Sequence, residues 1–185
     1  MDVRMNQSTG PRLPIEVVVE IPRGSRNKYE YDHVRHRFVL DRVLFSSVHY
    51  PTDYGFIENT LGDDGDPLDV LVLISEATFA GCLVRARPIG VLDMRDEKGI
   101  DHKILAVAYD DPRWDGIHTL EDVPPHQLLE IDNFFRTYKT LEKRETEIAG
   151  WLGATDAWRI IDEAIEMARR SARGKSDGKA PGTWS

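Results

Sequence analysis

Four aspartates fall within seven positions of the run Leu61-Gly62-Asp63-Asp64-Gly65-Asp66-Pro67-Leu68-Asp69-Val70-Leu71-Val72-Leu73. Gly65 and Pro67 form turns readily and helices poorly, and Val70 to Ile74 reads as a buried strand. The run is therefore a loop that delivers carboxylates to the edge of a sheet. If it stays extended, Asp64 and Asp66 share a side, as alternate residues of an extended chain do. Two carboxylates about 4 Å apart repel by about 4 kcal/mol at an effective dielectric of about 20, against a domain stability of only about 5–15 kcal/mol. Three converging aspartates need positive charge among them. Oxygen-only ligands favour a hard cation: Mg2+, Mn2+ or Ca2+. An acidic loop splayed into water is the competing reading, and the loop alone leaves the two level.

Several metal and phosphate chemistries do not fit the loop. An EF-hand starting at Asp64 would place Leu68 where an oxygen ligand belongs and Asp69 where the glycine belongs. A phosphatase-type Asp-x-Asp on a strand end needs its apolar run before the motif, and here the run follows. A zinc hydrolase needs histidines nearby. No Gly-x-x-x-x-Gly-Lys-[Ser/Thr] phosphate loop occurs.

The surrounding elements read as mostly β up to residue 108. Ile15, Val17, Val19 and Ile21 share one strand face, with Glu16, Val18 and Glu20 on the other. Pro22 to Asn27 is a turn. Lys28 to Asp32 alternates again, with Lys28 and Glu30 on one side. Phe38 to Phe45 is a strand carrying Arg42, and Tyr50 to Phe56 reads as a turn with two aromatics. Leu83 to Met94 and Lys103 to Ala108 are strands around a charged turn, Asp96 to Asp101. Short connections of this kind fit a barrel or sandwich.

The remainder reads as helical. Leu128, Ile131, Phe135 and Tyr138 recur at helix spacing after Pro124-Pro125. Trp158, Ile161, Ile165 and Ala168 repeat the pattern, with Thr155 or Asp156 as N-cap. Residues 1–14 read as a loose arm, 15–173 as a single domain and 174–185 as a disordered tail.

The chain has 185 residues, 41% hydrophobic and 30% charged, as expected of one globular domain. At that length about 70% of the unfolded surface can be buried. A net charge of −8 argues against general nucleic-acid binding. The single cysteine, Cys82, permits no disulfide framework and suggests a reducing cytoplasm. No apolar run approaches a membrane span, and the N-terminus has no signal-like apolar region. Taken singly, Glu20, Lys28, Glu30 and Arg42 are solvated charges. His33 and His36 read as surface, and Cys82 as packing.

At this point a resemblance becomes specific. Asp64-Gly65-Asp66-Pro67-Leu68-Asp69-Val70 is similar to the signature of the soluble family I inorganic pyrophosphatases. Glu20-Ile21-Pro22, Lys28-Tyr29-Glu30, Asp41-Arg42, Tyr50-Pro51 with Tyr54-Gly55, Asp96-Glu97 with Asp101 and Lys103, and Phe134-Phe135 with Tyr138-Lys139 match in the same order. The resemblance spans residues 15–142. It implies a mainly β fold, a five-stranded OB-like barrel with flanking C-terminal helices, and hydrolysis of diphosphate to two phosphates by a metal-activated water.

By the same resemblance, Asp64, Asp69 and Asp101 are expected in the tightest metal site, with Asp69 bridging to a second ion. Asp96 and Asp101 would hold ions arriving with substrate, and Glu20 and Glu30 would act mostly through water. Asp66 resembles the residue that orients and deprotonates the attacking water. Lys28, Arg42, Tyr54, Lys103, Tyr138 and Lys139 resemble the phosphate ligands. Several Mg2+ ions per site are expected, with Mn2+ or Zn2+ as substitutes. The implied assembly is a cytoplasmic homohexamer without nucleic-acid or membrane partners.

After Leu141-Glu142 the family usually continues Pro-Gly-Lys or Gly-Lys, where this chain has Lys143-Arg144-Glu145. Past Trp151 no functional residue carries over. A divalent-ion buffer is the alternative, but it has no use for Lys28, Arg42, Lys103 and Lys139 beside its carboxylates.

Overall fold

The computed structural model describes residues 12–97 and 99–176. Most of the expected arm and tail, residues 1–11 and 177–185, lies outside them. Alternation in the sequence becomes strand pairing in a closed ring. Strands β1 (Ile15–Ile21), β4 (Asp53–Phe56), β5 (Asp69–Leu73), β8 (Lys103–Ala108) and β6 (Leu83–Asp96) neighbour one another in that order, and β6 pairs back onto β1. This ring is the expected five-stranded barrel. All its pairings are antiparallel except β5–β8, which is parallel. Continuous apolar runs such as Ile104 to Ala108 suit strands buried on both faces.

Each face of that parallel pair feeds its own core. Val70, Val72, Ile104 and Ala106 pack with Ala157, Ile160, Ile161 and Ala164 of helix α2 (Ala154–Ser176). Leu71, Leu73, Leu105 and Val107 pack with Ile131, Phe134 and Phe135 of helix α1 (Pro125–Thr137). The starts of β5 and β8 are thereby pinned side by side, with Asp69 in register with Lys103.

A second sheet stands apart. Strands β2 (Asn27–Asp32) and β3 (Arg37–Val43) form a two-stranded hairpin. Its register slips between Lys28 and Tyr29, so that Lys28 faces Arg42 while Tyr29 faces Leu40.

Four details differ from the sequence expectations. The stretch Tyr50 to Phe56, read as a turn, contains the wholly buried strand β4. Gly55 does not break it, because the glycine is what lets β4 approach β1. A Cβ there would lie 2.1 Å from the Val18 carbonyl oxygen. The region after residue 108 is not all helical, since β9 (Glu147–Gly153) pairs with β6. Helix α2 then starts at Ala154 directly from β9, so Thr155 and Asp156 lie in its first turn rather than at its cap. The acidic loop is not extended: the Gly62 amide donates to the Asp66 carbonyl at 2.7 Å and the Gly65 amide to the Gly62 carbonyl at 3.1 Å. Gly65 supplies the left-handed φ of 89° that this turn requires.

Short strand β7 (Gly99–Ile100) folds back on Arg95 and Asp96, which brings Asp101 near the end of β6.

Candidate active site

The starts of β5 and β8, the end of β6, the β2–β3 hairpin and the residues after α1 surround one open cavity of about 770 Å3. Every residue expected to bind metal or substrate, or to act on the water, lines it. Glu20 comes from β1, Lys28 and Glu30 from β2, Arg42 from β3 and Tyr54 from β4. Asp64 and Asp66 come from the turn, Asp69 and Lys103 from the paired strand starts, Asp96 and Asp101 from the β6–β8 connection, and Tyr138 and Lys139 from the end of α1. In all, ten carboxylates and five lysine or arginine side chains face this space.

Opposite charges interleave. The ammonium of Lys103, only 4% exposed, donates to Asp69 and, at 2.5 Å, to Asp101 Oδ1. Burial works against that charge, but the attraction of Asp69 and Asp101 outweighs it, and the lysine holds its proton more tightly than usual. Lys139 Nζ donates to Asp96 Oδ2 at 3.0 Å. On the hairpin, Lys28 and Arg42 face each other across the strands, an arrangement that is unfavourable for like charges. Asp41 sits between them and accepts from both, 3.3 Å from Lys28 Nζ and 2.5 Å from Arg42 Nη1. Arg42 Nε also donates to Glu142 at 2.9 Å.

Several carboxylates hold protons more readily than they do in water. Burial pushes Glu20 from 4.5 to about 7, partly opposed by the Tyr31 amide that donates to it at 2.7 Å. Burial raises Asp64, helped by Asp101 and Asp66. It raises Asp101 too, against the pull of Lys103. Each shift marks negative charge that the protein leaves under-compensated.

Tyr54 and Tyr138 line the cavity from an aromatic cluster packed behind it. Tyr50 contacts Tyr54 and Phe134 at ring-centroid distances of 5.5 and 4.7 Å, and Phe134 stacks on Tyr138 at 5.2 Å. Burial raises the hydroxyl pKa of both Tyr54 and Tyr138. These hydroxyls therefore stay protonated and able to donate at neutral pH.

Among the described residues, no three His, Cys, Asp or Glu side chains are drawn tightly enough to enclose an ion as they stand. Lys103 lies between Asp69 and Asp101 instead. The donor chemistry nonetheless fits a hard divalent cation: the donors are all carboxylate oxygens, crowded enough for burial and mutual repulsion to raise two of the expected ligands.

The family model for inorganic pyrophosphatase matches residues 17–169. The chain belongs to the inorganic pyrophosphatase family. Membership makes it an enzyme of the inorganic diphosphatase class. It is 53% identical over 152 residues to an inorganic pyrophosphatase of Nostoc sp., covering 82% of this chain and 90% of that protein. A Methanosarcina mazei inorganic pyrophosphatase is also 53% identical, over 80% of this chain and 88% of its own length. The crystal structure of the Thermus thermophilus inorganic pyrophosphatase superposes with a TM-score of 0.83 at 40% identity, covering 89% of this chain and 95% of the other.

Four further charged residues, to which the sequence reading gave no role, line the pyrophosphatase cavity: Asp41, Glu97, Glu142 and Arg144. Asp41 and Glu97 belong to the matched motifs Asp41-Arg42 and Asp96-Glu97. Glu142 and Arg144 lie where the chain departs from the family pattern, and the turn after α1 brings them to the cavity. In that turn Lys143, at a position where the family often has glycine, adopts the left-handed φ of 58°.

Proposed function

We propose that the chain hydrolyses inorganic diphosphate to two phosphates, with Mg2+ held by the cavity carboxylates. The observation that carries this reading is the mixture of charge: ten carboxylates and five cationic side chains converge on one cavity. An ion buffer needs only the first set, and an anion binder only the second. A polyanion that arrives with divalent cations needs both.

Asp64, Asp69 and Asp101 would hold a resident ion, Asp69 would also serve a second, and Asp96 with Asp101 would hold ions that accompany substrate. Glu20 and Glu30 would act through water. Bound there, Mg2+ supplies charge neutralisation at the phosphate oxygens and a lowered pKa for water.

The chain's own groups supply the rest. Lys28, Arg42, Lys103 and Lys139 meet phosphate oxygens, Arg42 as a bidentate fork and the lysines as point charges. Tyr54 and Tyr138 donate hydrogen bonds without adding charge. The Asp66 carboxylate takes a proton from the attacking water. The water oxygen bonds to one phosphorus, the bond from that phosphorus to the bridging oxygen breaks, and its electron pair leaves with the second phosphate. Preorganised cations stabilise the charge that develops on the leaving group.

The family resemblance supports a cytoplasmic homohexamer as the working form. Substrate selectivity tests the chemistry: with Mg2+, diphosphate should turn over rapidly while ATP and simple phosphomonoesters remain poor substrates. Comparable rates on all three would overturn it.

A further inference from the structure

The acidic loop has a neck, and one buried hydroxyl closes it. Thr60, only 5% exposed, donates from Oγ1 to the Ile57 carbonyl at 2.6 Å and accepts at the same atom from the Leu68 amide at 2.9 Å. The Ile57 amide in turn donates to the Leu68 carbonyl at 3.0 Å. Ile57 and Leu68 are themselves buried, in the core that packs against α2. Residues 57, 60 and 68 are thus tied together, and the chain between 60 and 68 leaves and re-enters the barrel through this joint.

The loop beyond the joint carries Asp64 and Asp66, which both line the cavity. It is braced within itself. The Gly62 amide donates to the Asp66 carbonyl at 2.7 Å, and the Asp66 amide donates to Asp64 Oδ1 at 3.1 Å. Such a loop moves as one piece, and its placement is set where it is attached. One tether is the Leu61 amide, which donates to the Ala164 carbonyl of α2 at 3.0 Å; the other is the neck. The residues assigned to phosphate lie on other elements, from Lys28 on β2 to Lys139 after α1. A shift of the neck therefore displaces Asp64 and Asp66 and leaves those cations in place. Valine at position 60 would fill the same space and leave the Leu68 amide without its acceptor. A buried amide in that state is costly, and opening the neck to water relieves it.

We infer that Thr60 is a positioning residue for the reaction: its hydroxyl fastens the neck of the acidic loop and so sets where Asp66 meets the attacking water and where Asp64 meets the resident ion. The inference rests on the diphosphatase reading. Thr60 does not line the cavity and touches neither substrate nor ion. It acts only through the two carboxylates.

Steady-state kinetics with Mg2+ and diphosphate, on the full chain and well below its melting temperature, test this. Thr60→Val keeps the shape of the side chain and removes the hydroxyl. It should lower kcat by about 10²-fold, the scale of a 1 Å misplacement of reacting groups, with KM within about twofold. Thr60→Ser keeps the hydroxyl and should restore kcat. Thr78→Val is the control for lost stability. Thr78 Oγ1 also donates at 2.6 Å, to wholly buried Asp53, and neither residue lines the cavity. Thr78→Val should lower the melting temperature and leave kcat unchanged. Thermal melts across a Mg2+ titration give a second readout: the Mg2+ concentration that half-completes the rise in melting temperature should increase in Thr60→Val and not in Thr78→Val. A kcat for Thr60→Val within about threefold of wild type, or equal losses of kcat in Thr60→Val and Thr78→Val, would overturn the inference. If Thr60→Val does not fold, Thr60→Ser decides, and a kcat as low as that expected of the valine variant would overturn it. A wild type inert toward diphosphate would instead refute the reading of the site as a whole.

Discussion

Removing the Lys103 ammonium gives a sharp test of the charge balance in the cavity. Lys103→Met keeps the length and apolar stem of the side chain and deletes its charge. The Lys103 side chain is 4% exposed, and its ammonium donates to both Asp69 and Asp101, whose side chains are 23% and 12% exposed. Deleting one partner of a buried ion pair costs about 3–5 kcal/mol, because the other charge is left without compensation. Asp101 already holds its proton more readily than a free carboxylate, and by taking one up it brings the cost toward the lower figure. For a chain of this length, 1 kcal/mol moves the melting temperature by about 2–4 °C. The expected loss in chelator is thus roughly 6–12 °C. Mg2+ should restore a large part of it, because a dication among the same carboxylates replaces the missing charge. The assay is a thermal melt of wild type and variant, in chelator and at saturating Mg2+. A chelator shift under about 2 °C would refute the reasoning, and so would equal Mg2+ responses in the two proteins.

Three further outcomes follow from the same geometry. Asp66→Asn keeps size and polarity but cannot accept a proton, so kcat should fall about 10²–10⁴-fold with KM little changed; near-normal kcat in a rate assay would remove Asp66 from the role of base. Folded Glu20 keeps its proton up to about pH 7, whereas the unfolded chain releases it near 4.5, so in chelator stability should fall as pH rises through that window, by at most roughly 3 kcal/mol, and denaturant titrations of Glu20→Gln should show a flatter profile. Light scattering at micromolar concentration should give the mass of six chains, and a monomer mass would reject the hexamer.

Much of this site could be read before the fold was known. The acidic loop, the strand after it and the cations on β2 and β3 are written in local pattern. Alternation located β1, and apolar runs located β5 and β8 to within a residue or two. What escaped was decided by distant partners. Strand β4 looks like a turn until β1 is seen to lie against Gly55. Strand β9 carries two glycines and little alternation, and it exists because β6 offers it an edge. Asp64 and Asp66 do face one cavity, but not along an extended loop: the Gly62 and Gly65 amides close a turn that only backbone hydrogen bonds specify. Glu142 and Arg144 follow the same logic. They reach the cavity because a left-handed residue ends the short helical turn after α1, and a lysine there gives no hint of it.

The interleaved carboxylates and cations are proposed to form a magnesium-dependent diphosphatase site. Phosphate release from diphosphate by the purified full chain tests it most directly, measured first in excess chelator and then with Mg2+ restored at neutral to alkaline pH. Release should be negligible in chelator and rapid, in a two-to-one ratio of phosphate formed to diphosphate consumed, once Mg2+ is returned. No release with Mg2+, Mn2+ or Zn2+, or undiminished release in chelator, would contradict it.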